Sequence, residues 1–498
     1  MGLFIVLSIS PVIADDNNTL ADSESPKYQG DNQNSGQSPY TGPQTNQTKW
    51  NYTLNTNESL SISPAVGPDG TIYLPTTIIT RTHHYCDLKA INSDGTLKWN
   101  YTINNGANKN SYFTGTPAIA KDGTIYASGY YLMDSGGYNN FMLALNPDGT
   151  LKWKYADVGL HGWTSPAIGN DGTIYTAGFY QGPKGGSTGM YGVFYAINSD
   201  GTLKWKYSIT DQGNSYSFGA PAIGLDGTIY FTGEVAHYRH TGRLYAFNPD
   251  GALKWQKIID PNPPYHAHLR TSPFVAKDGT IIITPFYYNN VDHTSVIYAF
   301  NPDGTEKWNF NYNHTYMKGL AIANDGTIYA VGWYNSTQGI VYALKSDGTQ
   351  KWNYTTNYAL NYNPVIGHDG TIYFGEGTVP NTLYALNPDG TIKWSLAVQT
   401  ATSPVIAADG TLYVGIVSLD DQLRQIFSLL AIKDPQSHPD DITPDNENSN
   451  ITVNAANNIQ RQTIQRQTIQ MQETGLPLPL MVLAILMVLG GLILPRKK

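Results

Sequence analysis

Short apolar runs recur along most of the chain, and polar turns built on Asp-Gly separate them. One half of the repeat reads Ser-Pro-Ala-x-x-x-Asp-Gly-Thr-Ile-Tyr. Asp-Gly between apolar residues is a strong hairpin signal, because Gly accepts the positive φ that such turns need. Each copy therefore predicts two short strands joined by a tight turn. The Asp-Gly pairs of this half begin at Asp69, Asp122, Asp171, Asp226, Asp278, Asp325, Asp369 and Asp409.

The other half of the repeat reads Tyr-Ala-Leu-Asn-Pro-Asp-Gly-Thr-Leu-Lys-Trp and predicts a second hairpin. Two hairpins give four strands per unit, and units of about 50 residues are typical of propeller blades. The Trp is large and flat, so we expect it to wedge between neighbouring blades as a structural docking residue. These residues are Trp50, Trp99, Trp153, Trp205, Trp255, Trp308, Trp352 and Trp394.

The two ends of the repeat array complement each other. Trp50 opens the array without the turn that should precede it, whereas the last unit stops at Asp434 without its Trp strand. A strand around Trp50 can complete the last blade and leave no open sheet edge. Residues 46–434 are therefore predicted to form an all-β, eight-bladed propeller of four-stranded blades, closed by the N-terminal strand.

The flanking segments have different compositions. Residues 1–14 are apolar and are predicted to be a signal peptide. Residues 15–45 are polar and expected to be disordered, and the Asn/Gln-rich residues 435–473 are expected to be a linker or stalk.

An uncharged run followed by basic residues in 474–498 predicts one transmembrane helix with a cytoplasmic tail, which places the propeller outside the cell. Whether this anchor is retained or cleaved stays open.

Charge and cysteine content narrow the functional classes. The formal net charge is -8, with 30 Lys plus Arg against 38 Asp plus Glu, so no basic footprint for nucleic acid is expected. Cys86 is the single cysteine, which excludes an intrachain disulfide and a thiolate-rich metal site.

Local histidine pairs raise the question of a metal site. They are His83-His84, His237 with His240, and His266 with His268. His266 and His268 occupy alternate positions and should point to the same side of a strand. The spacing supplies no third ligand, so solvated histidines are the favoured interpretation and no metal site is predicted. The Asp-Gly turns lack the alternating carboxylates of calcium loops.

Aromatic and polar residues in the long inserts suggest a binding face. Loops build one face of a propeller and usually carry its binding function, and Tyr with Asn and Gly makes an adaptable surface for protein or glycan. The alternative is that these rings only cap hairpins. The candidate binding residues are Trp163, Arg270, Lys318, Asn363, Tyr130, Tyr131, Tyr180 and Tyr191.

The turn pattern Ala-x-Asn-x-Asp-Gly-x-x-Lys-Trp resembles the tryptophan-docking repeat of the pyrroloquinoline-quinone (PQQ)-like propeller superfamily, which includes quinoprotein alcohol dehydrogenases and an outer-membrane assembly scaffold. The resemblance covers about 390 of the 498 residues. The family turn is one residue longer than Ala144 to Trp153 and has Asp where Asn146 stands. This departure points to a cofactor-free, surface-protein branch.

The resemblance also implies what an enzyme of this superfamily would need. Its quinone lies between a Trp floor and a vicinal disulfide, and its calcium is bound by Glu, Asn and Asp. Cys86 alone cannot make that disulfide, and the segments expected at the channel mouth show no acidic set. We therefore expect a noncatalytic, cofactor-free binding scaffold for a surface protein or glycan, or a purely structural envelope component. The alternative is a PQQ-dependent dehydrogenase or a metal-dependent enzyme at the propeller centre.

Overall fold

The computed structural model describes the repeat region and part of the segment before it. The described residues are 19–21, 26–103, 110–132, 138–158, 160–161, 164–180, 190–209, 214–216, 219–236, 240–259, 266–289, 292–313, 315–334, 338–377 and 381–435. The predicted signal peptide, most of the linker and the predicted anchor lie outside them. Within this described part, no helix is long and apolar enough to cross a membrane.

Eight antiparallel sheets follow one another along the chain, and each is one blade. In most blades the innermost strand is split into two short pieces. The strands of blade 1 are Glu58–Ser59, Ala65–Val66, Ile72–Ile79, His84–Ile91 and Leu97–Thr102. Those of blade 2 are Ser111–Phe113, Ala118–Ile119, Ile125–Leu132, Tyr138–Leu145 and Leu151–Val158. Those of blade 3 are Leu160–His161, Ala167–Ile168, Ile174–Tyr180, Tyr191–Ile197 and Leu203–Ser208. Those of blade 4 are Asn214–Tyr216, Ala222–Ile223, Ile229–Ala236, His240–Phe247 and Leu253–Ile259.

The second half of the ring repeats this plan with shorter loops. The strands of blade 5 are His266–His268, Phe274–Val275, Ile281–Ile283, Phe286–Asn289, Asp292–Phe300 and Glu306–Asn313. Those of blade 6 are Thr315–Ile322, Ile328–Tyr334, Gln338–Leu344 and Gln350–Thr356. Those of blade 7 are Val365–Ile366, Ile372–Gly375, Leu383–Leu386 and Ile392–Leu396. Those of blade 8 are Gln399–Thr400, Val405–Ile406, Leu412–Leu419, Gln425–Ile432 and, from the other end of the array, Thr48–Thr53.

The last of these strands closes the ring. Thr48–Thr53 pairs antiparallel with Gln425–Ile432, and Trp50 lies opposite Ala431. The strand satisfies backbone groups that would otherwise form an open sheet edge. The prediction of an eight-bladed propeller with four-stranded blades, closed by the N-terminal strand, is confirmed.

The hydrophobic core lies between the blades. One cluster joins Cys86 and Leu88 of blade 1 to Phe141 and Leu143 of blade 2, and all four side chains are fully buried. Similar clusters occur at the other blade interfaces. Each blade therefore buries its apolar faces against its two neighbours, as stacked sheets require.

The docking Trp residues lie on the outermost strands and contact the following blade. The indole Nε1–H of Trp205 donates to the carbonyl of Pro249 at 3.0 Å. A Cβ on the turn glycine Gly251 would lie 2.8 Å from Cγ of the same indole. The turn therefore packs directly on the ring. The same pairing joins Trp50 to Gly95, Trp99 to Gly149, Trp153 to Gly201, Trp255 to Gly304, Trp308 to Gly348 and Trp352 to Gly390.

The polar segment before the first strand is not disordered over residues 26–45, which corrects that expectation. This central segment passes along the innermost strands and hydrogen-bonds to their backbones. Ile223 donates to the carbonyl of Asn32 at 2.7 Å, and Ile322 donates to that of Ser35 at 2.7 Å. Lys27 and Asn34 are completely buried. The segment folds because its polar side chains satisfy backbone groups at the propeller axis, which would otherwise be buried without partners.

Candidate functional site

A small cavity lies at the propeller centre, lined by the innermost strands of several blades and by Tyr28 of the central segment. We call it the mouth cavity. Its volume is about 210 Å³. Its described lining residues are Tyr28, Thr114, Thr164, Ser165, Ala220, Arg270, Thr271, Ser272, Phe274, Lys318 and Asn363. Three of the predicted binding residues, Arg270, Lys318 and Asn363, therefore lie together in one cavity.

Two hydroxyl groups of this lining, those of Ser165 and Ser272, come from the residue directly before the proline of the Ser-Pro-Ala repeat. Ser165 accepts the backbone N–H of Thr116 at 2.9 Å, and Ser272 accepts that of Ala220 at 2.9 Å. These bonds join the innermost strands of neighbouring blades. Ser403 and Ser63 accept the backbone N–H groups of Asn363 and Ser403 in the same way, so the bond recurs at four blade interfaces.

The central segment forms the floor of the mouth cavity. Asn363 donates from Nδ2 to the hydroxyl of Tyr28 at 2.7 Å. The Oδ1 atom of Asn363 accepts the backbone N–H of Leu320 at 3.3 Å. These bonds fix the amide, so the cavity is closed below by a rigid polar surface.

Two cations lie on one side of the mouth cavity. The ammonium group of Lys318 lies 4.3 Å from the ring centroid of Tyr316 and 4.9 Å from that of Trp333. Trp333 is held in turn by a bond from its Nε1 to Oδ1 of Asn361 at 2.9 Å. Burial and the nearby charge of Arg270 lower the pKa of Lys318. No Asp or Glu occurs among the described lining residues, although Arg270 also pairs with Glu234 outside the lining.

A second polar group lies beside this cavity, between blades 4 and 5. Oε1 of Glu234 contacts Nδ1 of His240 in a short hydrogen bond and Nδ1 of His268 at 3.1 Å. Oε2 of Glu234 faces Nε of Arg270 at 3.4 Å. Burial acts to raise the pKa of Glu234, but the bonds from His268 and His240 and the charge of Arg270 hold that pKa below its ordinary value. Glu234 is thus a buried carboxylate surrounded by nitrogen groups.

This cluster could not be predicted from the spacing of residues in the sequence, because its members come from three strands. Glu234 and His240 lie on one hairpin of blade 4, where Ala236 pairs with His240. His268 lies on the innermost strand of blade 5 and contacts them across the blade interface. The adjacent histidine of the predicted pair, His266, accepts the backbone N–H of His240 at 3.2 Å. The available signal was a glutamate within the largely apolar strand Ile229–Ala236.

The four predicted binding tyrosines are not among the described lining residues of the mouth cavity. Tyr130 joins an aromatic group with Tyr112, their ring centroids 5.2 Å apart. Tyr131 points to the other face of the sheet and stacks on Phe141. Tyr180 and Tyr191 stack on each other at 4.8 Å. Trp163 and His237 lie outside the described residues.

The other histidine pair makes an ordinary polar contact. Nδ1 of His84 hydrogen-bonds to the hydroxyl of Tyr112 at 2.7 Å. The ring of His83 lies 6.3 Å from that of Tyr85. Neither contact brings a further metal-ligating group to this pair among the residues the structure describes.

Fold and site together define an eight-bladed propeller with a hydroxyl-rich, cationic mouth. No protein-family model and no curated protein matches the sequence. Among solved structures, a europium-containing methanol dehydrogenase matches with a TM-score of 0.59 and 12% identity, over 82% of this chain and 98% of that one. The Dos1 propeller matches with a TM-score of 0.42 and 8% identity, over 74% of this chain and 77% of that one. At 12% identity the first likeness supports the propeller fold alone.

The mouth cavity does not fit the quinone and calcium that the resemblance implies. Hard cations such as calcium need several carboxylate or carbonyl oxygens. The described lining offers one amide, hydroxyls and two cations. Cys86, the only sulfur available for a disulfide, is buried between blades 1 and 2.

Proposed function

We propose that this protein is a noncatalytic binding propeller whose mouth cavity takes an acidic group of a glycan. One observation carries the proposal: Arg270 and Lys318 line a hydroxyl-rich cavity in which the described lining residues include no carboxylate. Cations with hydroxyl and amide groups match a ligand that combines a carboxylate or sulfate with sugar hydroxyls. A noncatalytic binding function of this kind would place the protein in the cofactor-free branch of the PQQ-like superfamily.

The size of the mouth cavity favours the end of a polymer as its ligand, rather than a whole small molecule. Sites that enclose drug-sized ligands measure roughly 300–1,000 Å³. The volume of about 210 Å³ suits one terminal group of a longer chain. The rest of that chain would extend over the rim, where the aromatic residues of blades 2 and 3 provide further contact area.

The same proposal places the propeller outside the cell. The support is in the sequence: the apolar residues 1–14, and the uncharged run before the basic residues at the end of 474–498. An anchored, exported propeller would meet envelope glycans directly. The membrane is thus a second partner, through the predicted C-terminal helix.

Titration calorimetry of the full-length protein tests the ligand class. We expect binding of short oligogalacturonides, and roughly tenfold or greater weakening when their carboxyl groups are reduced to alcohols, because a charge-assisted hydrogen bond contributes about 1.5–3 kcal/mol. Lys318→Gln should weaken binding by a similar factor. Lys345→Gln is the matched control, because Lys345 is exposed on an outer hairpin turn.

Two results would overturn the proposal. Equal binding of the acidic and the reduced glycans would show that the cations do not recognise the ligand. Binding of peptides with a free carboxyl terminus, without binding of any glycan, would show that the mouth cavity recognises a protein partner instead.

A further inference from the structure

We propose that Glu234, His240 and His268 bind a divalent transition metal ion of the zinc class, at a site between blades 4 and 5. This site is separate from the glycan proposal, since it does not depend on what the mouth cavity binds. It uses residues that three different strands bring together.

The geometry is close to that of a three-ligand metal site. One ligand atom from each residue lies within 4.8 Å of the others. Both histidines direct Nδ1 at the same carboxylate oxygen, Oε1 of Glu234. Zinc with ligands at about 2.0–2.2 Å separates those ligands by roughly 3.3 Å. A small outward movement of the two rings would therefore admit the ion at the point where the three groups now converge.

The donor set selects the class of ion. Two imidazole nitrogens and one carboxylate are suited to zinc, copper, nickel or iron, whereas calcium and magnesium take oxygen ligands. The carboxylate is fully buried, but the side chains of His240 and His268 are 31% and 18% exposed. The ion would thus have three protein ligands and an open position that faces solvent, the arrangement of catalytic zinc sites.

Neighbouring groups already orient the ligands, as the surroundings of metal sites do. Arg270 faces Oε2 of Glu234, which leaves Oε1 directed at the histidines. The ring of Phe286 stacks beside that of His268, with centroids 6.2 Å apart. His266 accepts the backbone N–H of His240 and so fixes the strand that carries this ligand.

The experiment is titration of Zn²⁺ into the full-length protein after EDTA treatment and removal of the chelator. We expect one zinc ion per chain in a high-affinity step. Glu234→Gln and His268→Ala should each lower the affinity at least about 100-fold, since changes in the groups that merely orient metal ligands already cost about 10–100-fold. His368→Ala removes an exposed histidine elsewhere and should leave the affinity unchanged.

A second readout separates loss of the site from loss of the fold. Co²⁺ should give intense visible absorption bands with the wild-type protein and lose them in Glu234→Gln, while the metal-free melting profile of that variant keeps its cooperative transition. Unchanged zinc affinity in both Glu234→Gln and His268→Ala would overturn the proposal. So would a wild-type protein that binds zinc no more tightly than Glu234→Gln.

The two proposals fail independently. Lys318→Gln should weaken acidic glycans and leave zinc affinity unchanged, whereas His268→Ala should remove zinc. Zinc binding without glycan binding would refute only the glycan proposal. Glycan binding without high-affinity zinc binding would refute only the metal site.

Discussion

The carboxylate of Asp434 accepts the backbone N–H of Thr45 at 2.8 Å and its hydroxyl at 2.7 Å, from a residue 389 positions earlier in the chain. A continuous turn makes the same two bonds: Asp389 accepts from Thr391 at 3.0 Å and 2.6 Å. The seam of blade 8 therefore reproduces the Asp–Thr hydrogen bonds of an Asp-Gly-Thr turn between two distant segments, with Gln44 before the Thr. Pro43 completes it, since its carbonyl accepts Nε1 of Trp394 at 2.9 Å.

We expect Asp434→Ala to destabilise the protein by about 1 kcal/mol or more, because it removes hydrogen bonds that no peptide bond reinforces. The matched control is Asp389→Ala, whose turn is covalently continuous. Thermal unfolding and limited proteolysis, with identification of the released N-terminal fragments, measure the effect. The seam variant should release its N-terminal strand faster than the control. Equal proteolysis of the two variants would contradict the seam interpretation.

Two glycine substitutions separate backbone strain from Trp docking. Gly251 and Gly227 both have positive φ, 90° and 79°. An added Cβ would lie 2.8 Å from the Trp205 ring at Gly251, but 3.9 Å from its nearest neighbour, Pro249, at Gly227. Both alanine variants should lose about 1 kcal/mol to strain, and Gly251→Ala should lose more because it displaces the indole. The melting temperatures of the two alanine variants and of Trp205→Phe measure how much Trp docking contributes to stability. Equal stability losses in Gly251→Ala and Gly227→Ala would contradict a docking contribution.

The inner-hairpin aspartates should make the protein sensitive to acid. Partial burial acts to raise the pKa of Asp278, but hydrogen bonds from Lys307 and Thr280 lower it to about 2. Because the folded-state pKa lies below the ordinary 3.8, this stabilisation is complete above pH 3.8 and is lost as the pH falls through 2. Asp278→Asn should be less stable than wild type at pH 6, by up to about 1 kcal/mol for a half-exposed pair. The difference should vanish near pH 2 in circular dichroism melts, and a difference that persists there would contradict this assignment.

Lys27 should make stability rise with pH in a higher pH range. Burial lowers its pKa from 10.5 to about 7, while the charge of Asp31 acts to raise it. Between those values the unfolded chain holds a proton that the folded protein lacks, so stability should rise with pH from about 7 to 10. Lys27→Met should flatten this rise in denaturant titrations at several pH values. A slope that Lys27→Met does not change would contradict this assignment, because the raised pKa values of the neighbouring Tyr28 and Asp31 act in the opposite direction.

The blades were predictable because their signals are local. Asp-Gly turns and apolar runs specify each hairpin within about ten residues. The closure also followed from the sequence, since Trp50 and Asp434 mark two incomplete units. Local propensity and the overall fold agree throughout the repeat, as expected for a chain that folds to one structure.

The central segment and the metal-site cluster were not predictable for a common reason. Lys27 and Asn34 look like residues of a disordered segment, because composition does not record that Asn34 donates to the carbonyl of Pro273 in a distant blade and that Lys27 is buried against Asn34. Glu234 and His268 are 34 positions apart and belong to different blades, so no spacing rule joins them. Both features depend on how neighbouring blades stack around the axis.

Residues 26–53 pass through the centre and into blade 8, and this path also fixes the order in which the strands can pair during synthesis. This stretch leaves the ribosome before every strand it finally contacts, and its closing partner, Gln425–Ile432, is made last. The earliest strand of the propeller is thus the last that can pair. A chain interrupted before that partner would keep its leading strand unpaired and open to proteases, so the ring can close only after the last strand of the propeller has been made.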